Sequence, residues 1–432
     1  MKKNILDTES NQSSKMTKVE EKNMININRL VDEQRRLKKQ NINNSTTSKG
    51  NTKTTTNNKS TSKNKNSKNI KIKAEPRKLK LFFIVNSILG IIGMFTGLFL
   101  LYGPWNGFRD WLVTTAMTTM NHQYFATWFY DDETIDYVLS RNKVIESSTP
   151  SNPDLIEIKD YDEEEEEIVY ANEYERQVLE KDPGNDDYKI IDIKGNGYEG
   201  YLAVIYDPSR VHTVVTSKLG VRGEYLVDMA KRSNALVAIN GGGFVDPNFN
   251  SNGSTPLGIT ISNGEVKTSA SYGGAGGIIG FTEDDKLVLG KYSLSQAQSM
   301  GIRDCVTFGP FLIVDGVSSE VLGNGGWGDA PRTAIGQRKD GIVLFLVLDG
   351  RRAGMMGADM DDLIEIMENY GAYNAANLDG GTSSVMAING QLINDPIDST
   401  GAHKTRWIST GFVLVPKEEE VETSENELNS TN

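Results

Sequence analysis

Residues 342–349 read IVLFLVLD, and residues 360–384 read MDDLIEIMENYGAYNAANLDGGTSS. The first is a continuous apolar run closed by Asp349-Gly350, which marks a strand. The second sets Leu363, Ile364, Ile366 and Met367 at helical spacing over Met360–Tyr370, then runs through a short strand into Asp379-Gly380-Gly381. Asp359, Asp361 and Asp362 stand where an N-cap and first-turn acids belong. Working outward, runs bounded by Gly and Asn predict strands at Tyr201–Tyr206, His212–Ser217, Leu236–Ile239, Gly258–Ile261, Phe311–Val314 and Gly411–Val415. A helix is expected over Glu224–Lys231. The mixture predicts an α+β domain over residues 188–416, with a mixed β-sheet core and flanking helices.

An internal echo joins the two halves. Glu224–Lys231 leads into ALVAINGGG, and Asp361–Tyr370 leads into AANLDGGTSS. Each is helix, strand, polar residue and Gly-Gly. A pseudo-repeat would bring Asn240 and Asp379 to corresponding strand ends, with a cleft between them; convergent loop chemistry accounts for the echo almost as well.

Upstream, Leu81–Tyr102 reads LFFIVNSILGIIGMFTGLFLLY without a charge. At about 1.5 Å per residue these roughly 22 residues span about 33 Å, a hydrocarbon core's thickness. Lys71, Lys73, Arg77, Lys78 and Lys80 precede the run, and Gly103-Pro104-Trp105 follows it. The positive-inside rule therefore predicts one membrane helix (79–102), with its N-terminus cytoplasmic and the C-terminal domain extracellular at the cell membrane. A cleaved signal peptide would have a shorter tail and a shorter apolar run. Residues 1–78, rich in Asn, Lys, Ser and Thr, are expected to be a disordered basic tail. Residues 103–145 are aromatic and amphipathic; they read either as an interfacial helix along the outer membrane surface or as a helix packed on the globular domain. Residues 146–187, peaking at Glu163–Glu167, read as a solvated acidic linker, and 417–432 as a disordered acidic tail.

The net charge of -12 conceals an asymmetry. Residues 1–80 hold 21 Lys/Arg against 7 Asp/Glu, leaving 25 against 51 for the rest. An acidic remainder excludes nucleic acid as a partner, since phosphate neutralisation needs a basic face. The single Cys305 sits in an apolar run, as a buried structural thiol does, and three histidines are too few for a His-rich metal site.

Polar residues beside glycines at strand ends are the candidates for chemistry: Asn240-Gly241-Gly242-Gly243-Phe244 and Asp379-Gly380-Gly381-Thr382-Ser383-Ser384. Glycine there lets backbone N–H groups approach an anion; taken singly, each motif reads more simply as a tight turn. Ala330-Pro331-Arg332 and Arg406 add arginines next to strands, suited to gripping a phosphodiester. Arg351 and Arg352 read individually as surface salt-bridge residues.

The order NGGGF, TPLGITISNGEV, FGPFLIVDG, PRTAIG, VLDGR, NLDGGTSSVM and a closing Arg before FVLV resembles the phosphodiester glycosidase family. The resemblance covers about Tyr188 to Pro416. It implies hydrolysis of the bond between a sugar anomeric carbon and a phosphodiester phosphate, here in a cell-envelope glycan or its precursor. By matched position it implies a site of Asn240, Gly241, Arg332, Asp349, Asp379, Gly380, Gly381 and Arg406. Gly243 and Thr405 stand where the family usually has an aromatic and an acidic residue.

With phosphate as a ready leaving group, one well-placed carboxylate and a phosphate clamp suffice for such a reaction. Asp379 is the expected leading carboxylate and Asp349 the second. Arg332, Arg406, Asn240, Thr382, Ser383 and the N–H groups of Gly241, Gly380 and Gly381 would bind the phosphate or substrate. No cofactor is called for. Asp349, Asp359, Asp361 and Asp379 offer only oxygen ligands, so a bound ion would be Ca²⁺ or Mg²⁺. A non-catalytic exopolysaccharide-binding or assembly protein is the competing reading.

Overall fold

The computed structural model describes residues 76–118, 123–159, 169–245, 252–269, 276–398 and 400–417. The basic tail before Pro76, the Glu163–Glu167 peak and the acidic tail after Lys417 lie outside the described residues. The described residues from Lys80 onward form one compact unit.

The strand Val343–Asp349 is buried along its whole length. Successive side chains of a strand point to opposite faces. Leu344, Leu346 and Leu348 accordingly join one core, with Leu363, Ile366 and Met367 of the helix Met360–Asn369. Val343, Phe345 and Val347 join a second core, with Ile239, Phe281, Leu289 and Phe412. An apolar run on both faces is what a sheet sandwiched between two layers requires.

That sheet has seven strands, in the order Val317–Ser318, Phe311–Val314, Ala372–Asn377, Arg332–Arg338, Val343–Asp349, Tyr198–Ile205 and Tyr188–Gly195. Two five-stranded sheets pack on its second face. One runs Gln391–Leu392, Met386–Ile388, Val237–Asn240, Thr410–Leu414, Val211–Val215. The other runs Glu265–Ser269, Ile259–Ser262, Ile302–Phe308, Gly277–Thr282, Leu287–Gly290. The α+β class holds, with the core shared among several sheets and all these neighbours antiparallel. The helix Met360–Asn369 begins at a capping box, Asp359 accepting from the Asp362 N–H and Asp362 from the Asp359 N–H. Cys305 is fully buried and its thiol is pushed up to about 12 by burial, so it is no nucleophile.

Two upstream segments differ from a bare anchor and spacer. Helices Asn106–Thr118, Tyr124–Thr127 and Asp132–Arg141 build a small core of Val113, Ala126, Ile135 and Val138. This core docks on the domain: Asn324 donates through Nδ2 to Thr114 Oγ1 (2.7 Å) and through its N–H to Asn142 Oδ1 (3.0 Å). The strand Lys143–Ile145 then pairs with Glu320–Leu322. The stretch expected to be a solvated linker is instead strapped down where it is described. Ser151 bonds both ways to the Leu289 backbone, the Glu157 N–H donates to Lys339 O, and the Tyr206 hydroxyl donates to Val178 O in the helix Glu173–Leu179. Of the apolar residues described in this acidic stretch, Ile156 and Val178 are fully buried, and their burial helps hold it down.

The apolar helix runs from Pro76 to Tyr102. Its 23 residues from Lys80 are long and apolar enough to cross a membrane, and none of that window is buried.

Candidate active site

The ends of Val237–Asn240, in a five-stranded sheet, and Ala372–Asn377, in the seven-stranded sheet, lead into loops that clasp each other. Asn240 donates through Nδ2 to Asp379 O (2.6 Å), and the Asp379 N–H donates back to Gly241 O (3.1 Å). The echo in sequence thus corresponds to a meeting in space. Asn240 is buried, and its Oδ1 accepts from Thr333 Oγ1 (2.7 Å) and the Val385 N–H (3.1 Å). It serves as the rivet between the sheets; expected as a substrate ligand, it is spent on holding the loops. Two glycines are corrected in the same way. The Gly241 N–H donates to Thr410 O (2.9 Å) and the Gly381 N–H to Pro331 O (2.8 Å), so neither is left for an anion. The Gly380 N–H makes no hydrogen bond among the described residues. Asp379 itself is half-buried at this junction.

Three arginines converge beside it. Arg332 is 4% exposed. Its Nε donates to Ala358 O (3.1 Å), and its Nη2 to Trp327 O (2.8 Å) and to Gly328 O. Nη1 makes no hydrogen bond among the described residues and faces Gly380, where a Cβ would lie 3.6 Å from it. Arg351 donates from Nη1 to Thr382 Oγ1 (2.8 Å) and Ile397 O (3.0 Å), while its Nη2 lies 2.7 Å from where a Cβ on Gly381 would stand. Gly381 has φ +67, so both its backbone and the guanidinium beside it exclude a side chain. Arg406 stacks its guanidinium 4.6 Å from the centroid of Phe244.

These cations feel one another. Burial pulls the Arg332 pKa down to about 10, and the Arg351 charge adds to the shift. Burial likewise lowers Arg351, with Arg406 adding to it. Guanidinium groups stay protonated even so. The neighbouring carboxylates Asp359 and Asp329 partly offset burial at Arg332, as Asp398 does at Arg351, and an arriving anion would offset it further.

Arg351 is therefore the site residue that sequence reasoning missed. Read as a surface salt-bridge residue, it turns inward, helped by a left-handed backbone (φ 62), whereas Arg352 does pair with Glu199 and Asp395, each at 2.6 Å. Only its place after the strand-ending Asp349-Gly350 hinted at the difference. The aromatics Trp327 and Phe308, 6.1 Å apart between centroids, were also missed; Trp327 lies 5.9 Å from the Arg332 guanidinium. Gly243 has no room for an aromatic, since a Cβ there would come within 2.9 Å of both Leu257 and Phe308.

Asp349 has another task. Its oxygens accept from Asn394 Nδ2 (2.8 Å) and the Asp395 N–H (2.9 Å), and burial raises its pKa. It opens on a separate cleft of about 270 Å³, shared with Asp192, Glu199, Tyr201 and Arg352. Thr382 anchors Arg351, and Ser383 and Ser384 bury hydroxyls with no partner among the described residues. No group of three or more His, Cys, Asp or Glu among the described residues is placed to hold a metal.

A family model described as phosphodiester glycosidase matches residues 233–415. An uncharacterised SPbeta prophage-derived protein of Bacillus subtilis (strain 168), YomE, is 33% identical over 184 residues, which are 40% of this chain and 28% of that one. The chain thus spans little more than a quarter of that relative's length. Among solved structures, the zebrafish N-acetylglucosamine-1-phosphodiester alpha-N-acetylglucosaminidase catalytic domain, auto-inhibited by pro-peptide, is similar at TM-score 0.44 and 23% identity, over 54% of this chain and 83% of that one. A putative exported protein from Burkholderia pseudomallei K96243 is similar at 0.39 and 17%, over 51% and 74%. The family match takes in every site residue from Asn240 to Arg406, and it is over residues 233–415 that this chain is similar to the phosphodiester glycosidases.

Proposed function

We propose that the domain hydrolyses the bond between a sugar anomeric carbon and the phosphate of a phosphodiester, in a cell-envelope glycan or its lipid-linked precursor. The family match supports a glycosidase-type hydrolase. The observation that carries the finer reading is the convergence of Arg332, Arg351 and Arg406 on the junction that holds Asp379. Arg332 Nη1 and the Gly380 N–H hold the phosphate oxygens, with Arg351 and Arg406 closing the clamp and stabilising the charge that grows as the C1–O bond breaks. The phosphate leaves with the bonding electron pair and needs no strong acid. Asp379 stabilises the oxocarbenium-like centre and takes the proton of the attacking water. Trp327 and Phe308 offer apolar faces to the sugar ring. Asp349 acts from behind, by pinning the 394–395 loop. Anchored by Lys80–Tyr102, with the N-terminus cytoplasmic, the site would work outside the cell close to the membrane.

The test is to incubate the full chain in detergent with sugar-1-phosphodiesters and measure released reducing sugar and phosphate monoester together. Equal release of both supports the reading. No release from any of several sugars, with binding retained, would make the protein a glycan-binding module.

A further inference from the structure

The end of the apolar helix is tied to an aromatic face that the helical segment behind it leaves outside. The Tyr102 hydroxyl donates to Phe129 O (3.1 Å), and the Tyr130 hydroxyl donates to Leu101 O (2.9 Å). The Tyr102 and Tyr130 rings meet edge-on at 6.1 Å. Residues 124–130 are thereby held level with the last turn of the helix. Across that short segment Ala126 points into the small core, while Trp128 is 70% exposed and Phe125 41%. Trp105, just past the helix end, is 57% exposed. Tyr124, Phe125 and Trp128 stack on one another, with centroids 4.4 to 6.3 Å apart, so the rings form one patch.

We infer that this patch is a membrane-docking surface, and that its occupant is the headgroup layer of the bilayer that the apolar helix crosses. Three observations favour lipid over a protein partner. The patch continues directly from a 23-residue apolar helix with no buried surface in its window. It is composed of the amphipathic rings that settle at headgroup depth. The two tyrosine hydrogen bonds leave it no freedom to turn away from the helix end. The same helices grip the domain through Thr114, Asn142 and Asn324. A docked patch therefore sets the catalytic domain at a fixed height and tilt, where a mobile tether would let it wander. This inference rests on the reading that Lys80–Tyr102 spans a membrane, and its test separates the two.

The full chain, one copy per phosphatidylcholine nanodisc, is compared with Trp128→Phe by tryptophan fluorescence, using lipids brominated either high on the acyl chain or near its end. Carbonate extraction of vesicles reports insertion independently. Expected is a component quenched at least two-fold more strongly by the shallow bromines and absent from the Trp128→Phe chain. An inserted chain whose Trp128 is unquenched by either lipid overturns the docking surface. A chain extracted by carbonate overturns the membrane-spanning reading and the docking surface with it.

Discussion

Asp379 and Arg351 sit at opposite ends of legibility. Asp379 was readable because an acid between a strand and two glycines is an unusual expenditure at a loop. For Asp379→Asn we expect turnover to fall by about 10³-fold with the melting temperature unchanged, since acid–base groups contribute about 10²–10⁴; near-normal turnover would remove it from the mechanism. Arg351 carries two hydrogen bonds that fix its fork, to Thr382 Oγ1 and Ile397 O. Arg351→Lys keeps the charge and loses the fork, so kcat/KM should drop by about 10²-fold on a phosphodiester. A variant within a factor of two of the parent would remove Arg351 from the phosphate clamp. Burial, with the neighbouring Asp359 charge adding to it, pushes Asp362 up to about 6 from 3.8. A carboxyl raised in the folded state stabilises below its unfolded value and loses that contribution as pH rises through the folded one. The melting temperature should therefore fall less in Asp362→Asn than in the parent between about pH 4 and about pH 7.

Among the elements, the loop from Gly323 to Gly328 links the helices Asn106–Thr118 and Asp132–Arg141 to the candidate site. Its Trp327 and Gly328 carbonyls hold Arg332 Nη2, and its Asn324 is held in turn by Thr114 and Asn142. A Cβ at Gly328 would lie 2.5 Å from Thr115 Oγ1, so helix and loop are in close contact. A chain begun at residue 188 would lack the helices and the Lys143–Ile145 strand that brace this loop. We expect it to melt lower than a chain begun at 103 and, on the proposed function, to show a raised KM, because Arg332 loses its support. Equal KM values in the two chains would show that the brace is irrelevant to the site.

For the whole molecule, anchoring and catalysis should separate by substrate. A chain begun at residue 103 should hydrolyse a soluble sugar-1-phosphodiester within about two-fold of the full chain, yet be slower by about 10²-fold on the same group carried on a vesicle lipid. Tethering supplies local concentration without any new contact. Equal rates of the two chains on vesicles would mean that the helix does not place the domain near its substrate.

Local and periodic features are legible without a structure: the apolar span, the central strand 342–349 and the helix 360–370 that covers it, the capping acids and the order of the glycine motifs. Each depends on neighbours within a few residues, where spacing alone reports the face or the turn. Tertiary structure decided the rest. The fates of Asn240, Gly241 and Gly381 turned on backbone partners more than 30 residues away, which no spacing encodes. Arg351 and Arg352 are chain neighbours, and a positive φ at the first sends one guanidinium inward and leaves the other to surface acids. The acidic stretch around 146–187 was read by its charge, while its placement followed from Ser151, Ile156 and Val178, because burial of a few groups outweighs many solvated charges.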